Sequence, residues 1–268
     1  MSDLLQNAMI GFVIGTSMLI PGMSGGSVAV LLGVYDKLLC AFSDFFKNVK
    51  NNFFYLFSIL IGGIIGFLLM AKLFVWVLGV AYYKTLFFFT GIIVGTVISQ
   101  LRKTSLLYKK ISWLFVLAGI GIVALMQMIP KNWFLISEAT LLYKFAIFVF
   151  SGLLLGSALI LPGVSFTLML AILGQYDRFL TALNNLEISY LFPLGLCTIF
   201  GSIVLSKLLC TFLKRFPINC QSMIIGFVVA SIFEIFPGIP KNENFLICIL
   251  FLILGTALII FVDRREKI

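Results

Sequence analysis

Two stretches of this chain gather the residue types that could handle an anion: Pro21-Gly22-Met23-Ser24-Gly25-Gly26-Ser27 and Pro162-Gly163-Val164-Ser165-Phe166-Thr167. Proline and glycine break a helix and leave backbone N–H groups unpaired at the start of the next one. Free N–H groups, small hydroxyls and the positive end of a helix dipole together suit an oxyanion. In lipid such groups must be satisfied by protein, water or a ligand. A plainer reading is a tight turn whose small residues let helices pack closely. Recurrence of the same pattern, each time beside hydroxyls, favours the ligand. The candidates are Pro21, Gly22, Ser24, Gly25, Gly26 and Ser27 at one tip, with Pro162, Gly163, Ser165 and Thr167 at the other. Phe166 stands where the first copy has Gly25, so the two tips are not equivalent.

Lys72 and Lys207 are the only basic residues deep within apolar runs. A lysine there snorkels to headgroups, pairs, or meets an anionic ligand. The functional reading makes each a counter-charge for an anionic headgroup. Tyr35-Asp36-Lys37 and Tyr176-Asp177-Arg178 read as helix ends reaching the membrane interface. Glu234 is the one acid well inside a span of the second half. Pro237-Gly238 close behind places it near an interface rather than in a proton path.

Other chemistry is scarce. The chain has no histidine, no phosphate-binding glycine loop, no carboxylate pair and no metal-ligand cluster, so neither a metal nor a cofactor is expected. Five cysteines without CxxC spacing read as small packing residues rather than a disulfide frame. Hydrolytic catalysis is disfavoured, and the expected protein is not an enzyme.

The elements that hold these residues must lie in a membrane. Of 268 residues, 62% are hydrophobic and 11% charged, against about 25% charged in soluble domains. The net charge of +9 is explained by loop placement rather than by nucleic acid. The first 20 residues lack a basic leader and a cleavage site, so they read as mature protein.

Residues 15–39 and 156–180 are identical at nine of 25 positions at an offset of 141, including PGxS and LGxYD. The match resumes at an offset of 135, pairing Gly66 with Gly201, Lys72 with Lys207 and Gly91 with Gly226. This predicts one membrane domain over 1–268 built from two repeats, about 1–130 and about 140–268. Apolar runs fall near 4–20, 24–39, 52–80, 85–101 and 111–129, and again near 144–161, 165–180, 188–213, 221–236 and 244–262. A span needs about 20 residues, so the paired runs around each Pro-Gly are short for two spans and long for one. The expected fold is an all-α polytopic membrane protein of two inverted-topology repeats. Each has a Pro-Gly-broken helical hairpin, re-entrant in form, plus three transmembrane helices. An odd number of crossings per half inverts the second copy. Twelve Lys and Arg residues fall on the N-terminal side and five opposite, which predicts a multi-pass cell-membrane protein with both termini cytoplasmic.

The stretch PGMSGGSVAVLLGVYDKLL, with its second copy at 162–176, resembles the polyprenyl-phosphate translocase family of bacteria and archaea. Ser27 replaces that family's usual threonine, and Phe166 an expected glycine. The resemblance implies return of undecaprenyl phosphate from the outer to the cytoplasmic leaflet for cell-envelope synthesis. The polyprenyl-phosphate lipid and the bilayer lipids are then the partners. The family's motif role falls on Pro21, Gly22, Ser24, Gly25, Gly26, Ser27, Pro162, Gly163 and Ser165, while the roles of Thr167, Lys72 and Lys207 come from the residues alone. A small-anion transporter using the same tips, and a membrane enzyme acting on polyprenyl (pyro)phosphate, are the alternatives.

Overall fold

A computed structural model describes residues 2–20, 23–103, 110–128, 141–240 and 245–265. Within them the secondary structure is helical, with no strand. The order is α1 Ser2–Ser17, α2 Gly25–Leu31, α3 Tyr35–Ser43, a 3-10 turn Phe45–Lys47, α4 Val49–Lys103 and α5 Lys110–Met128. It continues with α6 Leu141–Ile160, α7 Phe166–Ile172, α8 Tyr176–Asn184, α9 Ile188–Arg215, α10 Pro217–Ile235 and α11 Phe245–Arg265. Four helices among the described residues, α4, α9, α10 and α11, are long and apolar enough to cross a membrane.

Helix α4, 55 residues long, would reach about 80 Å at 1.5 Å per residue. A bilayer core is only about 30 Å thick. Ala81 resolves the mismatch: its backbone leaves the helical region (φ −140°, ψ 48°) and divides α4 into two arms, each long enough to span. The sequence runs 52–80 and 85–101 map onto these arms, joined by one non-helical residue instead of a loop.

The run 24–39 is not one helix. Leu32 ends α2, and Gly33 follows at φ +67°, a conformation that costs glycine little. Val34 N–H then reaches the Ala29 carbonyl (3.0 Å) and Gly33 N–H the Val30 carbonyl (3.1 Å). This is a Schellman cap, and it satisfies carbonyls that would otherwise be stranded. Residues 170–175 repeat it, with Gly174 at φ +67°, Gln175 N–H on the Leu170 carbonyl (2.9 Å) and Gly174 N–H on the Ala171 carbonyl (3.1 Å). The LGxYD motif is thus the end of one short helix and the start of another. Asp36 and Asp177 sit in the first turns of α3 and α8, where the dipole favours an acid.

Glycines set the helix contacts. A Cβ on Gly11 or Gly15 of α1 would strike the backbone of Ile59 or Gly63 in α4, and one on Gly152 or Gly156 of α6 would strike α9 at Cys197 or Gly201. Helix α11 packs on the second arm of α4, and α5 packs on α10. The buried core gathers where these pairs meet the short helices, around Ile20, Tyr35, Leu39, Leu155, Met169 and Phe227.

One sequence expectation is overturned here. Cys40 of α3 and Cys210 of α9 form a disulfide, with Cα atoms 5.7 Å apart. They are 170 residues apart in sequence, so no spacing rule could pair them. Cys197, Cys220 and Cys248 carry no disulfide.

Candidate functional site

At the first tip, Ser24 caps α2 from an extended backbone (φ −95°, ψ 145°), and its Oγ accepts from Ser27 N–H at 3.2 Å. The two hydroxyls lie 3.0 Å apart. At the second tip, Ser165 caps α7, its Oγ accepting from Leu168 N–H at 3.4 Å and lying 2.8 Å from Thr167 Oγ1.

The tips touch. Gly163 N–H donates to both Ser24 Oγ (2.9 Å) and Ser27 Oγ (3.0 Å). Gly163 holds φ +79°, and a Cβ there would strike the Phe227 carbonyl. Gly26 faces Pro162 so closely that a Cβ would come within 3.0 Å of the Pro162 Cα. These glycines therefore permit close approach of one tip to the other. The Gly163 N–H is spent on the first tip rather than aimed at a ligand. Two serine hydroxyls carry two protons, and one lies between them; the other remains to donate outward.

A cavity of about 620 Å³ opens beside this junction. Ser24, Gly25, Gly26, Ser165 and Thr167 form its polar end, together with Phe166. The rest is mostly apolar, drawn from α1, α3, the first arm of α4 and the end of α6. Leu60, Ile64 and Leu68 on the α4 wall are exposed, Leu68 to 66%, so the cavity opens sideways rather than toward a helix-bundle centre. Such a space suits a long apolar chain ending in a small anion.

Of the other sequence candidates, Ser27, Pro162 and Gly163 support the junction from behind and do not line the cavity. Pro21 and Gly22 lie outside the described residues. Lys72 is exposed on the first arm of α4, one turn past Leu68, and does not line the cavity. Lys207 is exposed on α9 and lines a separate cleft with Lys47, Lys214 and Arg215. Phe166 lines the cavity and meets Phe179 edge-on, with ring centroids 6.0 Å apart.

The sequence reading set Glu234 near an interface and gave it no part at the tips. Its carboxyl comes up beside the Ser165 hydroxyl, while its Oε2 is buried without a partner. At the offset of 135 its counterpart is Ser99, so an acid at one tip and a hydroxyl at the other was a readable asymmetry.

The two tyrosines of the YD motifs differ from each other, and Tyr35 departs from expectation. Tyr35 is 4% exposed, and its hydroxyl donates to the Ile160 carbonyl at 3.0 Å, far from an interfacial role. Tyr176 is 39% exposed. Lys37 lies over the Tyr55 ring at 4.5 Å, and Arg178 over the Tyr190 ring at 4.9 Å, which accounts for a cation after each YD.

A family model described as undecaprenyl phosphate translocase-like matches residues 14–247. A polyprenyl-phosphate transporter of Staphylococcus aureus is 33% identical over 252 residues, covering 88% of this chain and 87% of its own. A polyprenyl-phosphate transporter of Vibrio cholerae is 26% identical over 250 residues, covering 87% and 78%. No solved structure matches the chain. The family and both relatives are named for transport, not for catalysis.

Proposed function

We propose, from the premise that the chain belongs to the undecaprenyl phosphate translocase-like family, that it carries a polyprenyl phosphate across the bilayer with the phosphate at the two touching tips. The observation that carries this reading is the sideways-opening cavity, mostly apolar, with Ser24, Gly25, Gly26, Ser165 and Thr167 at its polar end. The Ser24–Ser27 pair donates its spare proton to a phosphate oxygen, and the prenyl chain lies along Leu60, Ile64 and Leu68 in contact with lipid. Lys72 and Lys207, outside the cavity, act as counter-charges at the two membrane faces before entry and after release.

The direction is from the outer to the cytoplasmic leaflet, returning undecaprenyl phosphate for cell-envelope synthesis, with both termini cytoplasmic. The chain works as one membrane domain of two inverted repeats. Supporting this, α2 and α7 have seven residues each, α3 and α8 nine each, and the two pairs start at the same offset of 141. Seven and nine residues reach only about 10 and 14 Å, less than half of a bilayer core of about 30 Å, which supports hairpins that return rather than cross. Rocking of one repeat against the other then exposes the tips alternately.

Reconstituted vesicles test the reading. Wild-type protein moves labelled undecaprenyl phosphate between leaflets, and Ser24→Ala/Ser27→Ala loses at least about tenfold, the worth of one charge-assisted hydrogen bond. Undiminished transport by the double variant removes the tips from the carrier site.

A further inference from the structure

Helix α9 ends in Lys207, Cys210, Thr211, Lys214 and Arg215. The i, i+4 and i+7 spacing puts Lys207, Thr211 and Lys214 on one face, one turn apart. That face meets the end of α3 and the 3-10 turn after it, where Ser43, Asp44 and Lys47 complete a cleft of about 630 Å³. Four cations and one carboxylate line it. Asp44 bonds Lys47 (2.8 Å) and Lys214 (3.1 Å), and Arg215 rests over the Phe216 ring at 5.5 Å. Lys207 has no carboxylate partner among the described residues. The cleft is therefore short of negative charge by about three; Ser43 and Thr211 also line it, the Thr211 hydroxyl donating to the Lys207 carbonyl at 2.7 Å.

The surroundings say what kind of anion fills it. Toward the middle of α9, an exposed apolar strip of Ile199, Phe200, Val204 and Leu208 runs up to the cleft. An apolar strip ending in lysines is the pattern of a helix leaving the hydrocarbon for the headgroups. A molecule with its tail on the strip and a compact, highly charged head in the cleft meets both. A phosphate monoester brings a second negative charge and a third free oxygen that a phosphodiester headgroup lacks, and so satisfies more of the cations.

We propose that the cleft between the last turns of α9 and the end of α3 is a headgroup site for a lipid phosphate monoester. It is a second station, apart from the tips, for the lipid the protein carries. The identity of that lipid rests on the function proposed above; the existence of the site does not. At the offset of 135, Lys207 corresponds to Lys72, but Lys214 and Arg215 correspond to Gly79 and Val80, so the first half does not repeat this set of cations.

Native mass spectrometry of the full-length protein in detergent, titrated with undecaprenyl phosphate, tests the proposal. Wild type takes up two molecules. Lys207→Gln/Arg215→Gln, neither residue tied to Asp44, loses the second or binds it at least tenfold more weakly, and Lys207→Arg restores it. Ser24→Ala/Ser27→Ala keeps the cleft molecule and loses the other. A wild type that binds one molecule, lost only on changing the cleft, supports this site and overturns the tip site. Binding in Lys207→Gln/Arg215→Gln equal to wild type, with an unchanged melting temperature, overturns the cleft. Equal displacement by phosphatidylglycerol overturns the preference for a monoester, and displacement by inorganic phosphate alone at equal concentration overturns the assignment to a lipid.

Discussion

Helices α3 and α8 carry the same motif and the same length, yet α3 is fastened across to the other half and α8 within its own. Helix α3 reaches across to the second half: Tyr35 donates to the Ile160 carbonyl, Cys40 bonds Cys210, and Asp44 pairs with Lys214. Helix α8 is fastened within its own half. Arg178 pairs with Glu187 and covers Tyr190, Thr181 donates to the Asp177 carbonyl, and Tyr176 stays 39% exposed. It packs on α7 and α9 and makes no comparable packing with α4. The sequence explains why. Where α3 and α9 offer Cys40, Asp44, Cys210 and Lys214, the corresponding positions on α8 and α4 are Thr181, Asn185, Val75 and Gly79, which can neither cross-link nor pair. Two copies of one motif thus give one closed seam and one open seam.

The sharpest way to break this comparison is to fix the closed seam. If α3 must part from α9 for transport, the Cys40–Cys210 bond stops it. In reconstituted vesicles, oxidised protein is expected to move labelled lipid at least tenfold more slowly than protein treated with dithiothreitol. Cys40→Ser/Cys210→Ser is expected to be fast under both conditions. Equal rates in oxidised and reduced wild type mean that the seam does not move.

The two tips form a second contrast. Ser24 holds a junction bond from Gly163 as well as the capping bond, whereas Ser165 has its capping bond and the contact with Thr167 within its own tip. Ser24→Ala is therefore expected to weaken binding of undecaprenyl phosphate by at least about tenfold, and Ser165→Ala by only a few-fold. Glu234→Gln sharpens the same point in the other direction. It takes the acid away from beside Ser165 and keeps the side chain's shape, so if the phosphate sits at the tips, binding is expected to tighten several-fold in a direct titration. Weaker binding in Glu234→Gln would mean that the acid holds the tip in shape rather than opposing the ligand.

How much of this was legible in the sequence depended on the range of the interaction. Pro162, Gly163 and Ser165 announced the second tip, because helix breaking and capping are local and need only neighbouring residue types. Leu32-Gly33 was not read as a helix end, since its cap is made by backbone bonds inside an unbroken apolar run. Cys40 with Cys210 and Tyr35 with Ile160 join positions more than 120 residues apart, and no spacing rule reaches that far. Lys72 and Lys207 were visible as costly charges, but which surface each faces is set by the helix that packs behind it.

The smallest effect separates two acids with the same chemistry. Hydrogen bonds from Lys47 and Lys214 hold the Asp44 carboxyl below its ordinary value of 3.8, and Arg178 does the same for Glu187 below 4.5. A carboxyl lowered in the folded state contributes stability that is full above its unfolded value and is lost as pH falls through the folded one. Only Asp44 joins the two halves, so only its protonation loosens the closed seam. Asp44→Asn is expected to lower thermal stability at pH 7 by an amount within the range of exposed pairs, about 1 kcal/mol or less. The gap between wild type and variant should close as pH is taken from 5 to below 3.8. Glu187→Gln should show the same closing gap in thermal stability, because its pair obeys the same linkage. Only the Asp44→Asn change should also speed the reduction of Cys40–Cys210 by a thiol at pH 7, since that bond lies in the seam Asp44 helps to close. An equal rate in Asp44→Asn and Glu187→Gln would show that the ion pair does nothing for the seam, leaving its closure to the disulfide and to Tyr35.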